Sequence, residues 1–341
     1  MMTGWVSTGQ VSNRMGEHST ATTGLGQRGR RDRIAGGLLG VHAGDSLGAT
    51  AEFMSWAEIH AIYPQGVREI IGGGKLGWPA GHATDDTDLT RAVLLAYLSP
   101  GGDVVRAAAD NMVRWWHGDW PGREPGSRPR DAGGATITGL RRYQQTEDPR
   151  RAGAGEGQAG NGSLMRCLPT ALAVADPERR IRESMEISAI THDDPRCTVS
   201  CAAYNEIAAA LLAGAAPEEA VGVGHQVALR LGGADVADSI AYGRRLDVAE
   251  AATTGRSLLP HGGRGFVLDS LSLGVAALLD PRPLPEVVID VARLGGDTDT
   301  NAAIAGGLLG IRDGLAAIPE RWRAALQFTD EFLAAADVLA G

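Results

Sequence analysis

Ala35-Gly36-Gly37-Leu38-Leu39-Gly40, near the start of the chain, recurs as Ala305-Gly306-Gly307-Leu308-Leu309-Gly310 near its end. Each copy sits in a segment whose apolar residues repeat at helical spacing, 33–43 and 300–312. Glycines on one helix face remove the side chains that hold a neighbouring backbone away. The copies are too far apart to be units of a solenoid. They read as two glycine-faced helices packed closely at the centre of a bundle, each available to the other as a partner. Each also adjoins an acidic motif: Gly44-Asp45 follows the first copy and Asp297 to Asn301 precedes the second.

Outward from these two segments, helical spacing marks 87–98, 103–117, 134–145, 163–175, 198–213, 216–231, 267–279, 284–293 and 328–339, and strand-like alternation is almost absent. Gly72-Gly73-Gly74, Pro121 to Pro129, Gly153 to Gly162 and His261 to Gly265 punctuate the segments as loops. The expected fold class is all-α. A chain of 341 residues has room for one large domain or two small ones. Acidic motifs in both halves that share one site would tie the chain into a single domain over 29–341. Residues 1–28 are polar, aperiodic and rich in Gly, Ser and Thr, the composition of a disordered tail, and Met15 offers a second possible start.

A formal net charge of -9 speaks against binding a polyanion by bulk electrostatics, because such binding rests on basic patches that release counterions. A small anionic substrate would need local help from metals, an arginine or helix N-termini. Cys167, Cys197 and Cys201 are too few and odd in number for a disulfide framework, which suits a reducing compartment. The i,i+4 spacing of Cys197 and Cys201 near His192 allows zinc, but buried small side chains account for it more simply. No apolar run reaches the roughly 18 residues of a membrane span, and His42 and Asp45 cut short the run after Arg30-Arg31, against a twin-arginine signal. The expected compartment is the cytoplasm and the expected state a monomer.

Thr84-Asp85-Asp86-Thr87-Asp88 runs directly into the apolar-periodic Leu89, Val93, Leu94, Tyr97 and Leu98; Gly295-Gly296-Asp297-Thr298-Asp299-Thr300-Asn301 opens the helix after it in the same way. Helix capping explains a Thr or Asp at such a position. Capping needs one oxygen, however, and these two starts hold five aspartates and four threonines between them. Carboxylates so crowded repel unless a cation neutralises them. An all-oxygen donor set selects magnesium, manganese or calcium, and two ions about 3.5–4 Å apart would follow the logic of dinuclear hydrolases.

Glu52, after Gly44-Asp45-Ser46-Leu47-Gly48, and Asp131, before Ala132-Gly133-Gly134, are candidates for a general base or a metal contact, or alternatively surface caps. Gly160-Asn161-Gly162-Ser163-Leu164-Met165-Arg166 is a glycine-rich turn feeding a helix, with an arginine suited to an anion such as a pyrophosphate. It lacks the ending of a P-loop and the strand of a dinucleotide fingerprint. In Thr191-His192-Asp193-Asp194-Pro195, His192 is either a donor to phosphate or ribose hydroxyl or a structural hydrogen-bond partner.

Taken in this order, the blocks resemble the ADP-ribosylglycohydrolase family over roughly residues 33–325. The resemblance implies an orthogonal all-α bundle with two Mg2+ or Mn2+ ions in a central cleft. It implies Thr84, Asp85, Asp86, Asp297, Asp299 and Thr300 as metal ligands, and leaves Asp88 and Thr298 out. Glu52 matches the acid near the metals of serine-type enzymes, and Asp131 resembles the general base of the dinitrogenase reductase type, although Ala132 and Gly134-Ala135 depart from that motif. Asn161, Gly162, Ser163, Met165, Arg166 and His192 match the pocket for the diphosphate and its ribose. Phe266 stands where the family's Gly-Tyr-Val-x-Asp block has tyrosine.

The expected activity is therefore removal of ADP-ribose from a modified acceptor, a protein or a small ADP-ribosyl compound, with arginine favoured by Asp131. The rivals are O-linked ADP-ribose on serine or in O-acetyl-ADP-ribose, an ADP-ribosylated nucleic acid, and a non-catalytic binding or structural relative.

Overall fold

A computed structural model describes residues 26–99, 101–256 and 259–341. The tail expected over 1–28 falls outside the described residues up to 25, and the first helix already begins at Gln27. Among the described residues there are sixteen α-helices, two 3-10 turns and no strand beyond three isolated bridges. In chain order the helices are α1 Gln27–Gly48, α2 Trp56–Ile62, α3 Asp85–Leu98, α4 Val104–His117, α5 Gly134–Thr146, α6 Leu168–Ala173, α7 Pro177–Ala189 and α8 Pro195–Leu212. They continue as α9 Pro217–Arg230, α10 Ala234–Gly243, α11 Val248–Thr254, α12 Val267–Leu279, α13 Leu284–Arg293, α14 Thr298–Asp313, α15 Glu320–Ala325 and α16 Thr329–Ala340. The all-α expectation holds.

The two glycine-faced helices are α1 and α14, and they form the most extensive helix pair in the bundle. A Cβ added at Gly36 would collide with the Gly310 carbonyl, one at Gly40 with that of Gly306, one at Gly44 with that of Ala302, and one at Gly48 with that of Thr298. One partner number rises as the other falls, so the helices run antiparallel. The four-residue step keeps every contact on one face of each helix. Helix α1 is buried without interruption from Ile34 to Gly48, and α14 from Thr298 to Ile311, as core helices flanked on all sides. Helix α1 runs beyond the segment 33–43 that periodicity marked, through Gly44 to Gly48. Those two glycines are needed for backbone contact with α14.

Helices α3, α6, α8, α12, α13 and α16 pack against this pair. Five helices lie where periodicity gave no segment: α2, α7, α10, α11 and α15. Helix α7 shows the reason. It is capped by Asp176 and starts at Pro177, but its buried face includes Arg180 and Glu183. Arg180 forms a bidentate pair with Glu206, and Glu183 accepts from the Tyr97 hydroxyl, so charged and polar side chains interrupt an inward stripe whose apolar members are Ile181 and Ile187. Over 163–175 only α6 is regular helix, and the residues before it form turns.

Candidate metal centre and substrate cleft

Antiparallel packing sets the C-terminal end of α1 beside the N-terminal end of α14, where the Thr298 hydroxyl donates to the Gly48 carbonyl at 2.7 Å. From the last turns of α1, Asp45 reaches sideways. Its Oδ2 accepts from the backbone N–H of Thr84 at 3.1 Å and of Thr87 at 3.2 Å, and from the Thr87 hydroxyl. The start of α3 is thereby fixed against the start of α14. The Thr300 hydroxyl donates to Asp86 Oδ2 at 3.3 Å across residues from opposite halves of the chain, and Thr84 Oγ1 donates to the same oxygen at 3.2 Å.

Capping does not account for these acids. Helix α3 is capped by the Thr84 hydroxyl, which accepts from Asp86 N, and the Asp297 side chain makes no capping bond to α14. Asp297 Oδ2 accepts from the Asn161 amide at 2.8 Å instead. Asp88 is spoken for by Arg91, Trp115, Trp120 and Arg123. With Thr298 bonded to Gly48, both residues left out of the expected ligand set have structural roles.

Oδ1 of Asp86, Oδ1 of Asp299 and Oδ1 of Asp45 are buried with no hydrogen-bond partner. Uncompensated buried carboxylate oxygens are costly, and the usual remedies are protonation or a cation. Burial, with like charge from neighbouring acids, pushes Asp85, Asp86 and Asp299 well above the usual carboxylate range. Burial and the nearby Asp131, Asp297, Asp85 and Asp45 push Glu52 up to about 9. Burial also raises Asp297, partly offset by Asn161, and takes Asp45 to about 6 against the bonds from Thr87 and Thr84. Among the described residues, no three His, Cys, Asp or Glu side chains form a ready-made coordination shell. The unpartnered oxygens and mutual repulsion nevertheless fit hard divalent cations, with threonine hydroxyls completing an all-oxygen set.

Above this floor opens a cleft of about 1310 Å³. Glu52, Asp85, Asp131, Asp297, Asp299 and Thr300 line it, so the two candidate proton-handling acids share one space with the ligand candidates. Thr84 and Asp86 lie beneath its surface, 1% exposed. On one wall, Asn161, Gly162, Met165 and His192 face the cleft. His192 packs under the loop, where a Cβ on Gly162 would come within 2.9 Å of its ring. Its Nδ1 bonds to Thr191 Oγ1 at 2.7 Å, and burial drives its pKa down to about 3, so the ring is neutral. Ser163 and Arg166 lie behind the loop. Ser163 Oγ accepts from Ser188 Oγ at 2.9 Å, and the fully buried Arg166 donates to Gly162 O and Thr191 Oγ1, both at 2.6 Å. Arg166 thus shapes the turn from within. Phe266 is half-buried against the His261 ring, 4.2 Å between centroids, and is not among the lining residues. The three cysteines are free and buried; Cys197 Sγ donates to Gly160 O at 3.2 Å, which braces the loop.

A family model described as ADP-ribosylglycohydrolase matches residues 27–341. The chain belongs to the ADP-ribosylglycohydrolase family. It is 30% identical over 306 residues to the ADP-ribosyl-[dinitrogen reductase] glycohydrolase of Rhodospirillum rubrum, covering 88% of this chain and 92% of that protein. It is 28% identical to the ADP-ribosylarginine hydrolase Tri1 of Pseudomonas putida (strain GB-1), covering 85% of this chain and 73% of that protein. A solved structure described as an ADP-ribosylglycohydrolase-related protein complex aligns with a TM-score of 0.75 at 29% identity, over 92% of this chain and 98% of that one. Membership makes the protein a hydrolase of glycosyl bonds.

This glycohydrolase also lines its cleft with residues that the sequence did not single out, among them Phe53, Gln158 and Arg264. Phe53 follows Glu52 directly and holds a left-handed φ of 61°, although it is half exposed. The Phe53 N–H donates to Gly296 O at 2.8 Å, and Lys75 donates to Phe53 O at 2.7 Å. Strained non-glycine backbone of this kind persists where surrounding contacts over-determine it. No helix among the described residues is long and apolar enough to cross a membrane.

Proposed function

We propose that the protein hydrolyses the N-glycosidic bond between ADP-ribose and the guanidinium of a modified protein arginine, using two divalent cations, Mg2+ or Mn2+. The observation that carries the reading is the union of the two aspartate clusters under one cleft into which Asp131 also projects. Thr84, Asp85, Asp86, Asp297, Asp299 and Thr300 would hold the ions. Cations there would supply electrostatic anchoring for ribose hydroxyl oxygens and a more acidic water.

The chain's own groups do the rest. Asn161, tied to both Asp297 and Ser270, orients one acid of the floor and presents the glycine turn to the substrate. Asp131, half-buried in the cleft lining, takes the proton of the attacking water while the anomeric C–N bond breaks with its electron pair leaving on the guanidine. It then returns that proton to the departing guanidine. Glu52 faces the same space as a second acid for proton handling. The carboxylates tolerate positive charge developing at the anomeric carbon. Acceptor choice follows the arginine-linked name of one relative and the presence of Asp131. Glu52 in the same cleft supports a second reading, an O-linked acceptor such as serine.

The test is release of ADP-ribose from arginine-, serine- and acetyl-linked conjugates, with magnesium or with EDTA. Release from the arginine conjugate that EDTA stops, and that Asp297→Ala removes, is the expected result. No release from any conjugate, with Asp297→Ala indistinguishable from wild type, would overturn it.

A further inference from the structure

Six acids line the cleft, namely Glu52, Glu58, Asp85, Asp131, Asp297 and Asp299. Among the described lining residues they face one arginine and no lysine: Arg264. His192 adds no charge, being neutral. The arginine that sequence reading placed with the phosphates, Arg166, is sealed behind the loop and bonded to it. Cations on the floor would offset the acids that hold them, yet on the wall Arg264 is the one positively charged side chain of the described lining that is available to a diphosphate.

Arg264 is placed to meet that diphosphate. The loop that carries it is anchored by Asp269 of α12, which accepts from the backbone N–H of His261 at 3.0 Å and of Gly263 at 3.2 Å. On one side of Arg264, the Gly263 carbonyl accepts from Asp297 N at 3.1 Å; on the other, the Gly265 carbonyl accepts from Asn161 N at 2.9 Å. Its backbone thus bridges the acidic floor and the glycine turn at Asn161. The backbone is held while the side chain is exposed and forms no hydrogen bond or ion pair among the described residues. Most other arginines of the molecule are engaged, as Arg123 is with Asp88 and Arg180 with Glu206.

We propose that Arg264 is the residue that binds the diphosphate of the substrate, and that it selects nucleoside-diphosphate sugars over uncharged nucleosides. The assignment rests on the ADP-ribosyl reading above. A guanidinium pairs with phosphate oxygens through two parallel N–H donors, which gives orientation as well as attraction.

The experiment measures affinity for ADP-ribose and for adenosine by calorimetry, in magnesium, for wild type, Arg264→Ala, Arg264→Lys and Arg264→Glu. The magnesium-induced rise in melting temperature reports that each variant retains its fold and floor. The expected result is about tenfold weaker ADP-ribose binding for Arg264→Ala, a larger loss for Arg264→Glu, partial recovery for Arg264→Lys and unchanged adenosine binding. In conjugate hydrolysis, KM rises by more than kcat falls. Raising salt weakens ADP-ribose binding more in wild type than in Arg264→Ala. ADP-ribose affinity within twofold of wild type for Arg264→Ala, or an equal loss for adenosine, would overturn the proposal. Arg264-dependent ADP-ribose binding without release from any conjugate would sink the hydrolytic reading and leave this one standing. Arginine-conjugate hydrolysis with an unaltered KM in Arg264→Ala would do the reverse.

Discussion

Asp86 and Asp88 lie on the same first turn of α3 and have opposite circumstances. Both oxygens of Asp88 are bonded, to Arg91, Trp115, Trp120 and Arg123, while Asp86 keeps one buried oxygen with no partner. Asp88→Asn should therefore destabilise the fold by about 1.5–3 kcal/mol while preserving stabilisation by magnesium. Asp299→Asn should do the opposite, raising the melting temperature in EDTA by relieving repulsion and abolishing the magnesium response. Melting curves of both variants with and without magnesium check the pair, and a magnesium response retained by Asp299→Asn would refute the ligand assignment. Asp131→Asn should lower kcat by about 10²–10⁴-fold with the magnesium response intact, read by conjugate hydrolysis. The two acidic helix starts were legible in the sequence because their oxygen donors exceed what caps can use, but only the family resemblance set Asp88 and Thr298 apart from the other donors. Arg166 and Arg264 were not distinguishable there. Which of them faces the cleft depends on the path of two loops that meet only in three dimensions.

At the scale of elements, most helices with an apolar stripe were legible to within a few residues, as α4, α5, α12 and α13 show. Those whose inward faces are interrupted by charged side chains or whose length is short were not, as α7 and α2 show. The repeated glycine hexapeptide revealed a close pair but gave neither its direction nor its register. Contacts from Gly36 with Gly310 to Gly48 with Thr298 supply both. Gly40→Val should be severely destabilising, because the new side chain meets the Gly306 carbonyl, which cannot move without separating the helices. Gly222→Ala in α9 should instead stabilise by about 0.5–1 kcal/mol, since its nearest neighbour would be the flexible Arg244 guanidinium at 3.9 Å. Urea denaturation of the two variants measures the contrast, and similar losses would refute the backbone-contact account.

For the whole molecule, stability in the absence of metal should depend on pH with a definite sign. Glu52 has its folded pKa raised from 4.5 to about 9, and Asp45 from 3.8 to about 6. A raised acid favours the fold fully below its unfolded pKa and loses that contribution as pH climbs through the folded value. The EDTA-treated protein should therefore soften as pH rises from 4.5 towards 9, and saturating magnesium should flatten the trend. Ligand at 100 times its Kd adds about 2.7 kcal/mol, visible as a higher melting temperature. Melting temperatures across that range in EDTA and in magnesium provide the check, and parallel curves would contradict it.

The α1–α14 pair also constrains the order of events on the ribosome. Helix α1 leaves the exit tunnel well ahead of the partner whose backbone it must touch, which is made roughly 270 residues later, on the order of 15–50 s at about 5–20 residues per second. Throughout that interval a glycine-rich helix with no partner for its central face waits exposed, a client for chaperones. The aspartates of α3 wait with it, without their counterparts. A chain terminated before α14 therefore cannot assemble the floor of the cleft, and this enzyme can act only once α14 has been made.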